Sequence, residues 1–163
     1  MPYRIHLEKE NFKFSVSHFT IFGSGAAERL HGHNYYVSVD LRLKEISPDL
    51  GMAFDFNLVK PCVREITDAL DEFVLLPAKS PHLKVETSGN SVRALFSQKE
   101  YLFPSEDVRV LPVTNVTSEE LARFIATELA ERLKKNSTFA TLEFLSVGVQ
   151  ETRGQGVFFE VEL

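Results

Sequence analysis

Only one cysteine, Cys62, is present. An intrachain disulfide is therefore excluded and the fold has to be held by packing. Tryptophan is absent altogether. Basic charge is in deficit: the formal net charge is −5 at pH 7. That excludes the broad cationic surface with which non-specific nucleic-acid binders neutralise phosphates, but leaves room for a small anion held by a few local cations. No apolar run approaches the roughly 20 residues of a membrane-spanning helix. The opening MPYRIHLEKENF has charges where a secretion signal would be apolar. A cytoplasmic protein with no membrane partner is the expectation. No repeat, low-complexity tract or long linker divides the chain, and 163 residues suit one domain, 1–163, around one core.

Apolar residues make up 44% of the chain and charged residues 25%, ordinary for a globular protein, although Phe is frequent at 14. Their order is informative. Phe12, Phe14, Val16 and His18 alternate with Lys13, Ser15 and Ser17, and His33, Tyr35, Val37, Val39, Leu41 and Leu43 alternate with polar residues. Both stretches have the period of two that marks a strand with one buried face. NLVKPCVREITDALDEF predicts a helix starting near Lys60, with Val59, Val63, Ile66 and Leu70 as its apolar stripe and Pro61 in its first turn. Cys62 on that helix reads as a small buried hydrophobe rather than a nucleophile. LKVET, SVRALF and EYLFP predict short strands, the first two joined by a turn at Ser88-Gly89-Asn90. Thr117 and Glu120 form a capping box ahead of a second helix, LARFIATELAERL. FLSVGVQET and VFFEVEL close the chain as two more alternating strands. Adjacent strand pairs with two helices predict an α+β fold, an antiparallel sheet covered on one face.

Three histidines stand out against this pattern. His31 and His33 are two apart, so they project to one side of an extended chain, the side of Tyr35 and Val37. His18 ends the apolar face of its own strand. Three imidazoles at strand ends on inward faces form a candidate ligand set for Zn²⁺, leaving a fourth position open. His6 and His82 lack such context and read as surface residues. Glu151 follows Leu145, Val147 and Val149 on an apolar face. It is either a strand end meeting solvent or a carboxylate with a specific partner, and a guanidinium-like fork would suit it. Asp71 and Glu72, where the first helical pattern stops, read as a solvated pair.

FSVSHF, ERLHGHNYYVSVDL, MAFDFNLVK, ALDEFVLLP, NVTSEELARFI and VGVQET, in this order, resemble the 6-pyruvoyl-tetrahydropterin synthase / 6-carboxy-tetrahydropterin synthase family. The resemblance implies a T-fold: a four-stranded antiparallel sheet with two helices on one face, whose subunits close into a β-barrel as a homo-oligomer, a trimer or hexamer, with active sites at subunit interfaces. It implies zinc on His18, His31 and His33, and a pterin substrate whose 2-amino and N3 groups are held by Glu151. Thr117 and Ser118 fall where the family lines the pterin pocket and would serve a neighbouring subunit. Folate, biopterin or queuosine-type deazapurine routes are the pathways it brings with it.

Two departures shape the functional expectation. The family's catalytic cysteine stands four residues before the first histidine of HGH, where this chain has Ala27. The family's Asp-His pair is here Asp71-Glu72. ERLHGH instead resembles an ExxHGH branch in which glutamate replaces the cysteine. Those enzymes cleave the side chain of 7,8-dihydroneopterin triphosphate to 6-hydroxymethyl-7,8-dihydropterin. The implied acid–base group is Glu28, its pKa raised by partial burial. Asp71 would relay or orient, and Glu72 would stand in for the lost histidine. Arg153, or another cation, would meet the triphosphate. The alternatives are 6-pyruvoyl- or 6-carboxy-tetrahydropterin synthase activity, and a non-catalytic pterin- or purine-binding paralogue. A structural zinc domain fits less well, because structural sites usually have four protein ligands.

Overall fold

The computed structural model describes residues 3–152 and 154–163. In chain order the elements are β1 (Tyr3–His18), β2 (His31–Leu43), α1 (Lys60–Asp68), β3 (Phe73–Pro77), β4 (Leu83–Ser88), β5 (Ser91–Phe96), β6 (Lys99–Pro104), β7 (Val108–Leu111), α2 (Ser118–Lys134), β8 (Leu142–Thr152) and β9 (Gln155–Glu162). The antiparallel strands β1, β2, β8 and β9 lie side by side in that order, the expected four-stranded sheet. Beyond β1 it is extended by β3 and β7, which run parallel to their neighbours. The strands β4, β5 and β6 form a separate three-stranded antiparallel sheet.

The inward faces are those the alternation marks. Tyr35, Val37, Val39, Leu41 and Leu43 are buried in one core with Val59 at the cap of α1, with Val63 and Ile66 of α1, and with Leu121, Ile125 and Leu129 of α2. α1 packs on β1, and α2 crosses β8 and β9. In β1 the pairing with β2 slips between Glu8 and Lys13. Five positions on β1 span two on β2, so three extra residues bulge out. An odd insertion reverses the parity of a strand. This is why Leu7 and Phe12 both face the core although one is odd-numbered and the other even. From Phe12 onward the new parity carries Phe14, Val16 and finally His18 inward.

The first helix is shorter than its apolar stripe. Val59, Val63, Ile66 and Leu70 are all buried as predicted, yet the helix stops at Asp68. Glu72 takes a left-handed backbone, φ 63°, and its amide donates to Ser15 O at 2.7 Å. That contact turns the chain into β3, which the sequence pattern did not reveal as a strand. Cys62 is only half-buried, its thiol set against Leu58 O, and burial pushes that thiol up, which disfavours the nucleophilic thiolate. α2 begins as its cap predicts: Thr117 Oγ1 accepts from the Glu120 amide, and Glu119 and Glu120 occupy the first turn. The reciprocal half of the capping box is not made, because the Glu120 carboxylate turns to Arg123 and the Thr114 amide.

A second apolar cluster joins Phe19, Ile21, Leu76, Val92, Phe96 and Val108. It fastens the small sheet to the segment between β1 and β2. Among the described residues no helix is long and apolar enough to cross a membrane.

Candidate metal centre and substrate groove

The pairing of β1 with β2 builds the centre. His18 lies opposite His31, and Val16 opposite His33. Residues on one face of an antiparallel pair approach within a side chain's reach. The three imidazoles each offer one ligand nitrogen, and these lie within 4.8 Å of one another. Two of the rings are oriented by backbone carbonyls: His18 Nδ1 is 2.9 Å from Val116 O, and His31 Nδ1 is 2.7 Å from Arg29 O. A carbonyl only accepts, so in both rings Nδ1 carries a proton, which in a neutral imidazole leaves the lone pair on Nε2. Ring orientation by a second hydrogen bond is typical of metal-binding histidine. Burial pulls the His18 imidazole below its ordinary value, and the nearby His31 and His33 pull it further, against Val116 O and Glu151. The shift favours the neutral form a metal needs. The donor set fits Zn²⁺.

Two carboxylates flank the imidazoles. Glu28 Oε2 is 3.8 Å from His31 Nε2 and accepts from the Thr20 amide at 3.0 Å, while the Glu28 amide donates to Thr20 O at 2.9 Å. Its carboxyl does not follow the expected rise. Burial is the largest single influence and acts upward, but the Thr20 bonds, helped by the neighbouring His31 and His18 imidazoles, outweigh it and hold Glu28 below its usual range. Glu151 Oε1 is 3.2 Å from His33 Nε2, 3.6 Å from His18 Nε2 and 3.1 Å from Tyr35 Oη. It therefore has specific partners rather than a frayed, solvated end.

An open groove of about 860 Å³ has Ser15, His33, Asn34, Glu72, Asp107 and Glu151 in its lining. Glu72 is thus brought to the same groove as Glu151. Asp71 has a different place: its Oδ1 accepts from the Ser15 amide at 2.6 Å, latching the turn before β3 onto β1. Thr117 is occupied as the cap of α2 and Ser118 is its first residue. Both are half-buried, directly after the Val116 carbonyl that orients His18. Arg153 lies outside the described residues.

Sequence reasoning missed Tyr35 and Asn115. Tyr35 is fully buried, with its hydroxyl 3.2 Å from His18 Nε2 and donating to Glu151. Burial, and then the charge of Glu151, push that phenol strongly up, so it stays a donor. The signal was available: Tyr35 is the next inward residue after His31 and His33. Asn115 stands inside NVTSEELARFI, and its amide grips the backbone of Ile21.

A model of the family described as 6-pyruvoyl tetrahydropterin synthase matches residues 6–162. A Methanocaldococcus jannaschii protein with the provisional name 6-carboxy-5,6,7,8-tetrahydropterin synthase is 37% identical over 147 residues, which are 90% of this chain and 88% of that one. A Pyrococcus abyssi protein of the same provisional name is 32% identical over 82% of this chain and 77% of its own. Among solved structures, a Plasmodium vivax 6-pyruvoyltetrahydropterin synthase superimposes with a TM-score of 0.91 at 29% identity, over 100% of this chain and 99% of that one. That structure is described as a catalytic-residue mutant, glutamate to alanine.

Proposed function

The chain belongs to the 6-pyruvoyl tetrahydropterin synthase family, and from that premise we propose a zinc-dependent lyase. It acts on the side chain of 7,8-dihydroneopterin triphosphate and cleaves it to 6-hydroxymethyl-7,8-dihydropterin. The observation that carries this reading is the placement of Glu28, whose carboxylate stands 3.8 Å from Nε2 of His31 at the edge of three converging imidazoles. The glutamate named catalytic in the Plasmodium vivax relative supports giving that role to a carboxylate.

His18, His31 and His33 would hold the zinc, which as a Lewis acid makes side-chain hydroxyls bound to it more acidic. Glu28, ionised and fixed by Thr20, takes the proton of a side-chain hydroxyl at its free oxygen. Loss of that proton lets the adjacent C–C bond break in a retro-aldol sense: the hydroxyl carbon leaves as an aldehyde, and the pterin-side carbon takes up a proton. Glu151 receives the 2-amino and N3 edge of the pterin on its two oxygens. Glu72, in the same groove, is the second carboxylate available for proton return. Asp71 acts through position, holding Ser15 and thereby the turn that presents Glu72.

The working unit in this reading is a cytoplasmic homo-oligomer, a trimer or hexamer of 1–163 domains, in which Thr117 and Ser118 complete a neighbour's pocket. The outer edge of β9, unpaired among the described residues, supports assembly.

One observation favours a second reading. The archaeal relatives carry the name 6-carboxy-5,6,7,8-tetrahydropterin synthase, so proton removal from carbon rather than oxygen is the competing chemistry. The test is incubation of zinc-loaded protein with 7,8-dihydroneopterin triphosphate and identification of products by mass. Hydroxymethyl-dihydropterin supports the lyase. Carboxy- or pyruvoyl-tetrahydropterin selects the rival, and an unchanged substrate would reduce the protein to a pterin binder.

A further inference from the structure

Tyr35 has no part in the proposed chemistry, yet its hydroxyl lies at the junction of the metal centre and the substrate anchor. We infer that Tyr35 is a positioning residue that fixes the Glu151 carboxylate for pterin recognition. The inference deepens the functional reading and rests on Glu151 as the pterin anchor.

His18 Nδ1 donates to Val116 O at 2.9 Å, so its Nε2 carries a lone pair and has nothing to donate. The Tyr35 hydroxyl has one proton and two neighbours, His18 Nε2 at 3.2 Å and Glu151 Oε1 at 3.1 Å. Once His18 Nε2 is committed to a metal, Glu151 is the acceptor that remains. A buried hydroxyl needs such a partner, and a bond to a carboxylate is among the stronger ones.

Rigidity comes from the ring. Tyr35 is 0% exposed, is paired with Phe14 across β1 and β2, and stacks on that ring with centroids 5.3 Å apart. Glu151 by contrast is near the end of β8 and its side chain is about a third exposed. A floppy carboxylate accepts a two-pronged ligand poorly, because its freedom is lost on binding. A fixed phenol on a central strand removes part of that cost.

The test uses the zinc-loaded full chain and 6-methylpterin, a fluorescent pterin without side-chain hydroxyls. Tyr35→Phe keeps the ring and its stacking on Phe14. We expect it to retain zinc and melting temperature, to bind 6-methylpterin about 10-fold more weakly, and to raise KM more than it lowers kcat, because a charge-assisted bond of this kind corresponds to roughly a factor of 10 to 100. In a Glu151→Gln background the same change should have little further effect. Unchanged pterin affinity in Tyr35→Phe would overturn the inference, as would loss of zinc in step with loss of pterin, since Tyr35 would then act through His18. Additive effects in the double variant would also overturn it. Failure of the wild-type protein to bind 6-methylpterin at all would instead remove the functional reading, and this inference with it.

Discussion

Asn115 holds both backbone groups of Ile21, from 94 residues away: its Oδ1 accepts from the Ile21 amide at 3.1 Å and its Nδ2 donates to the Ile21 carbonyl at 2.9 Å. The side-chain amide mimics a neighbouring strand. Because Oδ1 also accepts from Val116 N at 3.0 Å, one side chain links the segment after His18 to the carbonyl that orients His18. Removing it strands three backbone groups, the amide and carbonyl of Ile21 and the amide of Val116. Asn115→Ala should therefore cost about 2 kcal/mol, the scale of unsatisfied buried groups, read as a lower urea midpoint at unchanged slope. It should also weaken zinc retention during dialysis, which an unrelated surface change of equal destabilisation would not.

Metal content is the direct check on the histidines. Purified protein should carry about one zinc per chain, as a three-histidine site open at its fourth position does. His31→Ala with His33→Ala should reduce this to background by elemental analysis. Full occupancy in the double variant would sink the ligand assignment.

Glu28→Ala separates binding from chemistry. Zinc and pterin should both be retained, because neither the imidazoles nor Glu151 depend on Glu28, while kcat falls by about 10²- to 10⁴-fold, the usual weight of a general acid–base group. Wild-type turnover in this variant would move the base elsewhere, with Glu72 the next carboxylate in the groove.

Glu72 pits stability against activity. A left-handed backbone costs a non-glycine residue about 1–2 kcal/mol, partly offset in the reverse sense by the entropy that glycine loses on folding. Glu72→Gly should be as stable as the wild type or up to about 1 kcal/mol more stable, whereas Glu72→Ala gains nothing. Turnover should drop in both. Thermal unfolding alongside steady-state kinetics reads the two effects separately, and full activity in Glu72→Ala would retire the proton-return role.

A pH dependence is expected away from the three clustered imidazoles. Asp40, 7% exposed, accepts two bonds from Arg4, at 2.8 and 2.9 Å, and lies 2.9 Å from His6 Nδ1. Burial acts upward on its carboxyl and is the largest influence, but Arg4 and His6 together hold it below the usual range. The bond to Asp40 raises His6, helped by Glu8 and opposed by burial. Glu160 adds to the field on Arg4. The two signs differ. The Asp40 contribution is complete above its unfolded pKa of about 3.9 and is lost as pH falls through the lower folded value. The His6 contribution is complete below its unfolded pKa of about 6.5 and is lost as pH rises through the higher folded value. Half-exposure keeps the His6 share small. Urea midpoints should decline gently from pH 6 to pH 9, and His6→Gln should flatten that decline. An equal slope in the variant would place its origin elsewhere.

Period-two alternation was enough to turn His18, His31, His33 and Glu151 inward, because the side-chain period of a strand is fixed by its backbone. The same rule concealed Tyr35, whose aromatic body satisfies an apolar pattern while its hydroxyl does polar work. Local propensity located α1 and α2 but overran the first by several residues, since the stop is made by Ser15, distant in sequence, taking the Glu72 amide. β3 and β7, of five and four residues, are too short for periodicity to distinguish from loop. The Asp71 latch and the Asn115 clasp are contacts between remote segments, which no local pattern encodes.

The flank of β9, unpaired among the described residues, makes stability subject to mass action. Eight residues there, Gln155–Glu162, end the sheet, and whatever pairs with them stabilises the folded chain by an amount that grows with the logarithm of its concentration. If copies of this chain are that partner, diluting the protein lowers its melting temperature and its specific activity together, and enzyme concentration becomes a variable to be fixed before any two variants are compared.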